Sequence, residues 1–102
     1  MQPTVSCILA TKNRRRFMQQ SIKYFLRQSY ENKELIVVED GEEYSGDFLK
    51  DQPKVEYIHL DHAIALGDKL NIGIERAKGQ VIQKWDDDDY YSSDFLKLNI
   101  RQ

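Results

Sequence analysis

The run Trp85-Asp86-Asp87-Asp88-Asp89 carries the sharpest chemical signal in the sequence. Adjacent carboxylates repel one another, and at the end of a buried strand they cost stability unless a cation or hydrogen-bond donors offset them. Their oxygens are hard ligands suited to Mg²⁺, Mn²⁺ or Ca²⁺, and Mg²⁺ commonly takes one or two protein carboxylates together with substrate phosphates. A nucleoside diphosphate completes such a shell, and the metal then neutralises charge building on a departing diphosphate. A solvated acidic loop is the bland alternative, favoured by roughly two to one for a tetrad taken in isolation. The apolar run before it and a second acidic strand end at Glu39-Asp40 reverse that preference.

Other residues offer weaker chemistry. Asp40 can accept hydrogen bonds from a nucleobase N–H, although a turn Asp before Gly41 needs no function. Thr11 and Asn13 can hold a ribose or base, or equally cap the helix that follows. Lys69 and the run Arg14-Arg15-Arg16 can meet phosphate, but a solvated helix face explains basic residues as well, and the Arg run reads as surface. His59 and His62 straddle Asp61 without a zinc spacing or a Cys pair, which gives them a structural reading. Trp85, Tyr90 and Tyr91 wall a pocket or pack at a strand end. No GxGxxG or P-loop pattern occurs, which weighs against a dinucleotide or ATP site.

The elements that must position these residues alternate. Val5 to Ala10, Leu35 to Val38, Val55 to Leu60 and Val81 to Trp85 read as strands, the third nearer a sheet edge. Arg14 to Gln28 carries Met18, Ile22, Phe25 and Leu26 at helical spacing. The polar stretch 42–53 reads as a loop with one helical turn around Phe48 and Leu49. Leu66, Leu70, Ile74 and Ala77 mark a helix face that Gly79 terminates, and Ser92 or Ser93 caps a last helix bearing Leu96 and Ile100. Alternating strands and helices predict an α/β three-layer sandwich around a mostly parallel sheet. In such folds ligands bind at the carboxyl ends of the strands, where Thr11-Lys12-Asn13, Glu39-Asp40 and Asp86 to Asp89 should converge.

Size and composition bound the rest. The 102 residues suffice for one domain, 1–102, and a composition 40% hydrophobic and 31% charged suits a folded globular chain. A formal net charge of −2 supplies no field for nucleic acid. The single cysteine, Cys7, lies in an apolar run and fits a reducing compartment. No apolar stretch approaches the roughly 20 residues of a membrane span, and no signal-peptide segment opens the chain, so a cytoplasmic location is expected.

The stretches Ser6-Cys7-Ile8-Leu9-Ala10-Thr11-Lys12-Asn13-Arg14, Glu34 to Gly41 (ELIVVEDG), Asn71-Ile72-Gly73-Ile74, Ala77-Lys78-Gly79 and WDDDD occur in the order seen in one family. Over essentially its whole length the chain resembles the nucleotide-sugar-binding half of family 2 glycosyltransferases of the GT-A fold, a Rossmann-like, nucleotide-diphospho-sugar transferase architecture. The resemblance implies that Thr11 and Asp40 meet the nucleotide, Asp40 through its base, and Asn13 and Lys69 join them as nucleotide-binding candidates. It places Asp86 and Asp87 near ribose and diphosphate. Asp88 becomes the direct metal ligand, with Asp86 as the second candidate, Asp89 as a supporting carboxylate and Mn²⁺ or Mg²⁺ as the ion. The family transfers a sugar from a nucleotide donor, often UDP-linked, with inversion, and the acceptor here would be a saccharide or lipid-linked glycan. Ala10 and Lys12 depart from the family's usual proline and aromatic. The family's acceptor site, catalytic base and a further metal ligand lie in a later half. The chain is therefore expected to be truncated, to hold no catalytic residue of its own, to be inactive alone, and to expose apolar surface that favours a homo-oligomer or marginal stability. A non-catalytic nucleotide-sugar-binding module and a nucleotidyltransferase are the competing readings.

Overall fold

The computed structural model describes residues 2–100, apart from the side chain of Phe48. Strand β1 (Val5–Lys12) leads into helix α1 (Arg15–Leu26), followed by β2 (Lys33–Asp40), the single turn α2 (Gly46–Leu49), β3 (Val55–Leu60), α3 (Leu66–Arg76), β4 (Val81–Lys84) and α4 (Phe95–Ile100). The strands form one sheet in the order β3-β2-β1-β4, with every pair parallel.

Alternation along the central strands assigns the two faces. Cys7, Leu9, Leu35 and Val37 face α1 and pack with Met18, Ile22, Phe25, Trp85 and Leu96. Ile8, Ile36 and Val38 face the other way, onto Leu70, Ile72 and Ala77. Helices on both faces of a parallel sheet bury the middle strands completely, which is why β1 and β2 read as near-continuous apolar runs. Every residue of β3 is only half-buried, as expected of an edge strand.

Register decides where the acidic run falls. Residues from Val5 to Lys12 of β1 pair with those from Lys33 to Asp40 of β2, so both strands end level. β4 stops with Lys84 opposite Ile8, and Trp85 N donates to Ile8 O at 2.8 Å. Continuing along the same line, the chain brings Asp86 and Asp87 level with Ala10 and Thr11, near the carboxyl end of β1.

Three local expectations need correction. Leu66 and Ile74 are exposed, and the inward face of α3 is built on Lys69, Leu70 and Gly73 instead. Only glycine fits at position 73, since a Cβ there would lie 2.4 Å from Ile8 Cγ2. Gly79 does not cap α3, which ends at Arg76 with Ala77 already extended. A Cβ at position 79 would lie 2.5 Å from the Thr4 carbonyl oxygen, so this glycine admits a close approach to the start of β1. Leu26, placed on the buried face of α1 by spacing, is exposed.

The 42–53 segment is tied to the sheet through a buried carboxylate. Tyr57 OH donates to Glu39 Oε1 at 2.5 Å and accepts from Ser45 N at 2.9 Å, while Arg15 Nη2 donates to Tyr44 O at 2.7 Å.

Candidate functional site

Thr11 leaves the end of β1 on the α1 side of the sheet and donates from Oγ1 to Asp87 Oδ2 at 2.8 Å. The start of the acidic run is fixed by three more contacts. Ser21 of α1 donates from Oγ to the Asp86 carbonyl at 2.7 Å and receives Trp85 Nε1–H on its own carbonyl at 2.9 Å, while Asp86 N donates to Tyr91 OH at 2.8 Å. Trp85 and Tyr91 stack with ring centroids 3.8 Å apart. Burial pushes the Tyr91 phenol up to about 12, so it stays neutral as an acceptor for that amide. The carboxylates are thus presented from a rigid aromatic base.

Around them opens a cleft of about 330 Å³. Its lining combines the carboxylates Asp86, Asp87 and Asp88 with the cations Lys12, Arg14, Lys69 and Lys84. Arg14 lies 3.6 Å from Asp87 and 3.7 Å from Asp88, and Lys84 lies 3.6 Å from Asp86. These are long, partly solvated pairs, worth about 0–1 kcal/mol each, so they exchange readily for other partners. The contact with the Asp86 carboxylate holds Asp89 above the usual carboxylate range.

Asp40 and Lys69 form a different kind of pair. Both are buried, with Lys69 Nζ donating to Asp40 Oδ1 at 2.8 Å, and Ile64 N donating to Asp40 Oδ2 at 2.8 Å. Burial alone would raise the Asp40 carboxyl. The hydrogen bonds from Lys69 and Ile64, with the ammonium charge, outweigh it and hold the group below the usual carboxylate range.

Residues 6–101 match the family described as Glycosyl transferase family 2. The chain belongs to that family. Among proteins it resembles are an uncharacterized glycosyltransferase of Rickettsia felis, 34% identical over 87% of this chain and 15% of its own length, and the glycosyltransferase GlyG of Streptococcus pneumoniae, 26% identical over 100% and 36%. The chain thus spans about a third or less of these relatives. Its fold superposes on residues 1–349 of the S. aureus protein TarS, in a crystal structure with UDP-GlcNAc, with a TM-score of 0.82 at 19% identity, covering 94% of this chain and 30% of that one. It also superposes on the mannosyltransferase PcManGT of Pyrobaculum calidifontis, in complex with GDP-Man and Mn²⁺, with a TM-score of 0.80 at 19% identity, covering 94% and 31%. The fold is therefore the α/β GT-A fold.

Set against this family's expected site, the fold gathers Thr11, Lys69, Asp86, Asp87 and Asp88 at one cleft. Asp40 reaches that cleft only through Lys69. Asn13 stands outside the cleft with φ of +51°, its side chain against Gly41, and neither it nor Thr11 caps α1, whose N-cap is Arg14. Arg14, read from sequence as surface, is exposed, and from there its guanidinium reaches 3.6 Å from Asp87 and 3.7 Å from Asp88. Lys84, Ser21 and Tyr91 escaped the sequence reading of the site. Lys84 had one available signal, its place one residue before the tryptophan that opens the acidic run. Ser21 had none, because its role depends on how α1 lies across the sheet. His59 contacts the Gly41 carbonyl, and His62 meets the neighbouring Asp61 at the surface, both away from the cleft.

The donor set fits a hard divalent cation. Among the described residues the cleft is lined by carboxylates without thiolate or imidazole. The contact between Asp86 and Asp89 leaves an excess of negative charge that a cation relieves. Among the described residues no three His, Cys, Asp or Glu side chains gather as a group that could hold a metal ion by themselves.

Proposed function

We propose that this chain forms the donor site of a metal-dependent, inverting glycosyltransferase that takes a nucleotide-linked sugar, with a UDP-sugar first among candidates. The observation that carries this reading is one cleft lined both by Asp86 to Asp88 and by Arg14, Lys69 and Lys84. A diphosphate with a divalent cation is the simplest ligand that satisfies both signs of charge. The complexes of TarS with UDP-GlcNAc and of PcManGT with GDP-Man and Mn²⁺ support it by shared fold.

In this reading Asp88 and Asp86 hold Mn²⁺ or Mg²⁺, which supplies charge neutralisation to the leaving diphosphate. Arg14 and Lys84 release their weak pairs with the acidic run and turn to phosphate oxygens. Lys69 directs its remaining N–H groups into the cleft. Thr11 holds Asp87 in place beside the ribose. Asp40 meets a base N–H with the lone pairs that Lys69 and Ile64 leave free, and its enclosure requires the 61–65 segment to shift when the base enters. Asn13 contributes from the turn next to Gly41. A saccharide or lipid-linked glycan is the acceptor, and the base that activates it belongs to a later part of the family's domain. The site operates in the cytoplasm.

Calorimetric titration with UDP, GDP and UMP, with and without Mn²⁺, tests the proposal. Diphosphate binding that requires Mn²⁺ and is lost in Asp88→Ala supports it. Absence of binding by either diphosphate in the presence of Mn²⁺ overturns it.

A further inference from the structure

Charge is distributed unevenly along the chain. The first 30 residues hold six of its 15 lysines and arginines and none of its 17 acidic residues, although the net charge is −2. Helix α1 and its two ends collect most of those cations. Arg14 and Arg15 have partners, the first in the acidic run and the second in Glu43 and the Tyr44 carbonyl. Arg16, Lys23 and Arg27 are exposed, and their side chains make no ion pair or hydrogen bond among the described residues. A cation in the first turn of a helix opposes the macrodipole. Because α1 has no acidic residue in that turn and no side-chain cap, nothing there offsets Arg16, and helix formation does not explain its presence.

Helical geometry aligns the three unpaired cations. At about 100° per residue, Arg16, Gln20, Lys23 and Arg27 share a stripe roughly 60° wide, opposite Met18 and Phe25, which are buried against the sheet. Arg27 keeps the helical course, its N–H bonded to the Lys23 carbonyl. The cations therefore crown the outermost ridge of α1 over a length of about 16 Å. Phe17 stands on one flank of that ridge and Leu26 on the other, 50% and 39% exposed. Beside Leu26, a shallow hollow of about 270 Å³ opens between α1 and Leu49, with Lys23 as its one cation among the described residues.

The shape and chemistry of the ridge select a flat anionic surface. Three long side chains spread along a convex line do not converge on a single phosphate or carboxylate, but their charges add over a surface that carries many anions. An acidic peptide seated in the hollow beside Leu26 would leave Arg16 and Arg27 unused. Apolar side chains on both flanks find no complement along a phosphodiester backbone, whereas a lipid headgroup layer over acyl chains accepts both kinds of side chain. We infer that the outer ridge of α1 docks the chain on a membrane carrying anionic lipids, with Arg16, Lys23 and Arg27 at the headgroups and Phe17 and Leu26 entering between them. None of these five residues lines the donor cleft, so the inference stands apart from the donor-site reading.

Co-sedimentation of the chain with phosphatidylcholine vesicles, with and without phosphatidylglycerol, is the test. The chain should pellet with the anionic vesicles and stay in solution with the neutral ones. Raising NaCl from about 0.1 M to about 1 M, which shortens the screening length from about 10 Å to about 3 Å, should release it. Each cation at an anionic surface contributes roughly fivefold to partitioning, so Arg16→Gln/Lys23→Gln/Arg27→Gln should bind on the order of a hundredfold more weakly. Lys50→Gln/Lys78→Gln/Lys97→Gln changes the net charge equally at exposed positions off the ridge and should bind nearly as well as wild type. Thermal melts check that both variants fold. Three results overturn the inference: no pelleting with anionic vesicles, equal pelleting with neutral ones, or a ridge variant that binds no more weakly than the control variant. So does a single-stranded RNA oligomer that binds at lower phosphate concentration than the vesicles and is lost in the ridge variant, since that assigns the ridge to nucleic acid. UDP binding with Mn²⁺, measured in parallel, reports on the donor reading separately.

Discussion

Asp40 and Lys69 were separate candidates along the chain, one at a strand end and one on a helix, and the fold makes them a single unit. A buried ion pair adds little net stability over apolar packing, but removing one partner strands the other and costs about 3–5 kcal/mol. Asp40→Asn should therefore lower stability by a few kcal/mol in urea unfolding, through the unpaired Lys69 ammonium. The pH dependence has a definite sign. Because the folded-state carboxyl lies below its unfolded value of about 3.9, its contribution is fully present above that pH and is lost as pH falls through the folded value. The gap in unfolding midpoint between wild type and Asp40→Asn should accordingly be constant near neutrality and narrow below about pH 4. A gap independent of pH down to acid unfolding would show that the charge of Asp40 contributes nothing. Lys69 was legible as a candidate only as a basic residue that can meet phosphate, which a solvated helix face explained as well. Its pairing with Asp40 was not legible, since 29 residues separate the two.

At the scale of elements, glycines separate backbone propensity from packing. Gly67 lies in the first turn of α3 with no atom within 4 Å of where a Cβ would stand, so Gly67→Ala should raise stability by about 0.5–1 kcal/mol through helix propensity. Gly73→Ala in the same helix should do the opposite, losing about 1–3 kcal/mol as α3 is pushed from Ile8. Thermal melts of the two variants check the contrast. Equal shifts would mean that α3 does not pack closely on the sheet. The α1 register has a comparable consequence at the acidic run. Tyr91→Phe removes the acceptor for the Asp86 amide, which should cost about 1–3 kcal/mol and loosen Mn²⁺-dependent nucleotide binding measured by calorimetry. Helical periodicity located α1 and α3 correctly. It misassigned Leu66, Ile74 and Leu26 because hydrophobicity alone cannot tell an inward face from a rim when each helix covers only part of a small sheet.

For the whole molecule, Cys7 reports cooperative opening. It is buried at the centre of the sheet, and burial pushes its thiol up to about 12, which suppresses the reactive thiolate. Labelling by a thiol reagent at about pH 8 should be slow in buffer and should accelerate only across the urea unfolding transition. Rapid labelling of the native chain would indicate that β1 opens locally. The two sheet edges, β3 and β4, are unpaired among the described residues, and β4 exposes Ile82 at 44%. If the expected self-association uses that edge, Ile82→Lys should shift sedimentation toward monomer at high protein concentration.

Composition and periodicity by themselves determined the α/β class, the alternation of strands and helices, and the convergence of polar strand ends, because burial on both faces of a parallel sheet writes itself into continuous apolar runs. The order of motifs determined the family. Only the tertiary structure decided that Arg14 reaches the carboxylates, that Asp40 is sealed by Lys69 and Ile64, and that Asn13 lies outside the cleft. Those outcomes follow from β4 ending opposite Ile8 and from how α1 and α3 cross the sheet, long-range relations on which local sequence patterns are silent.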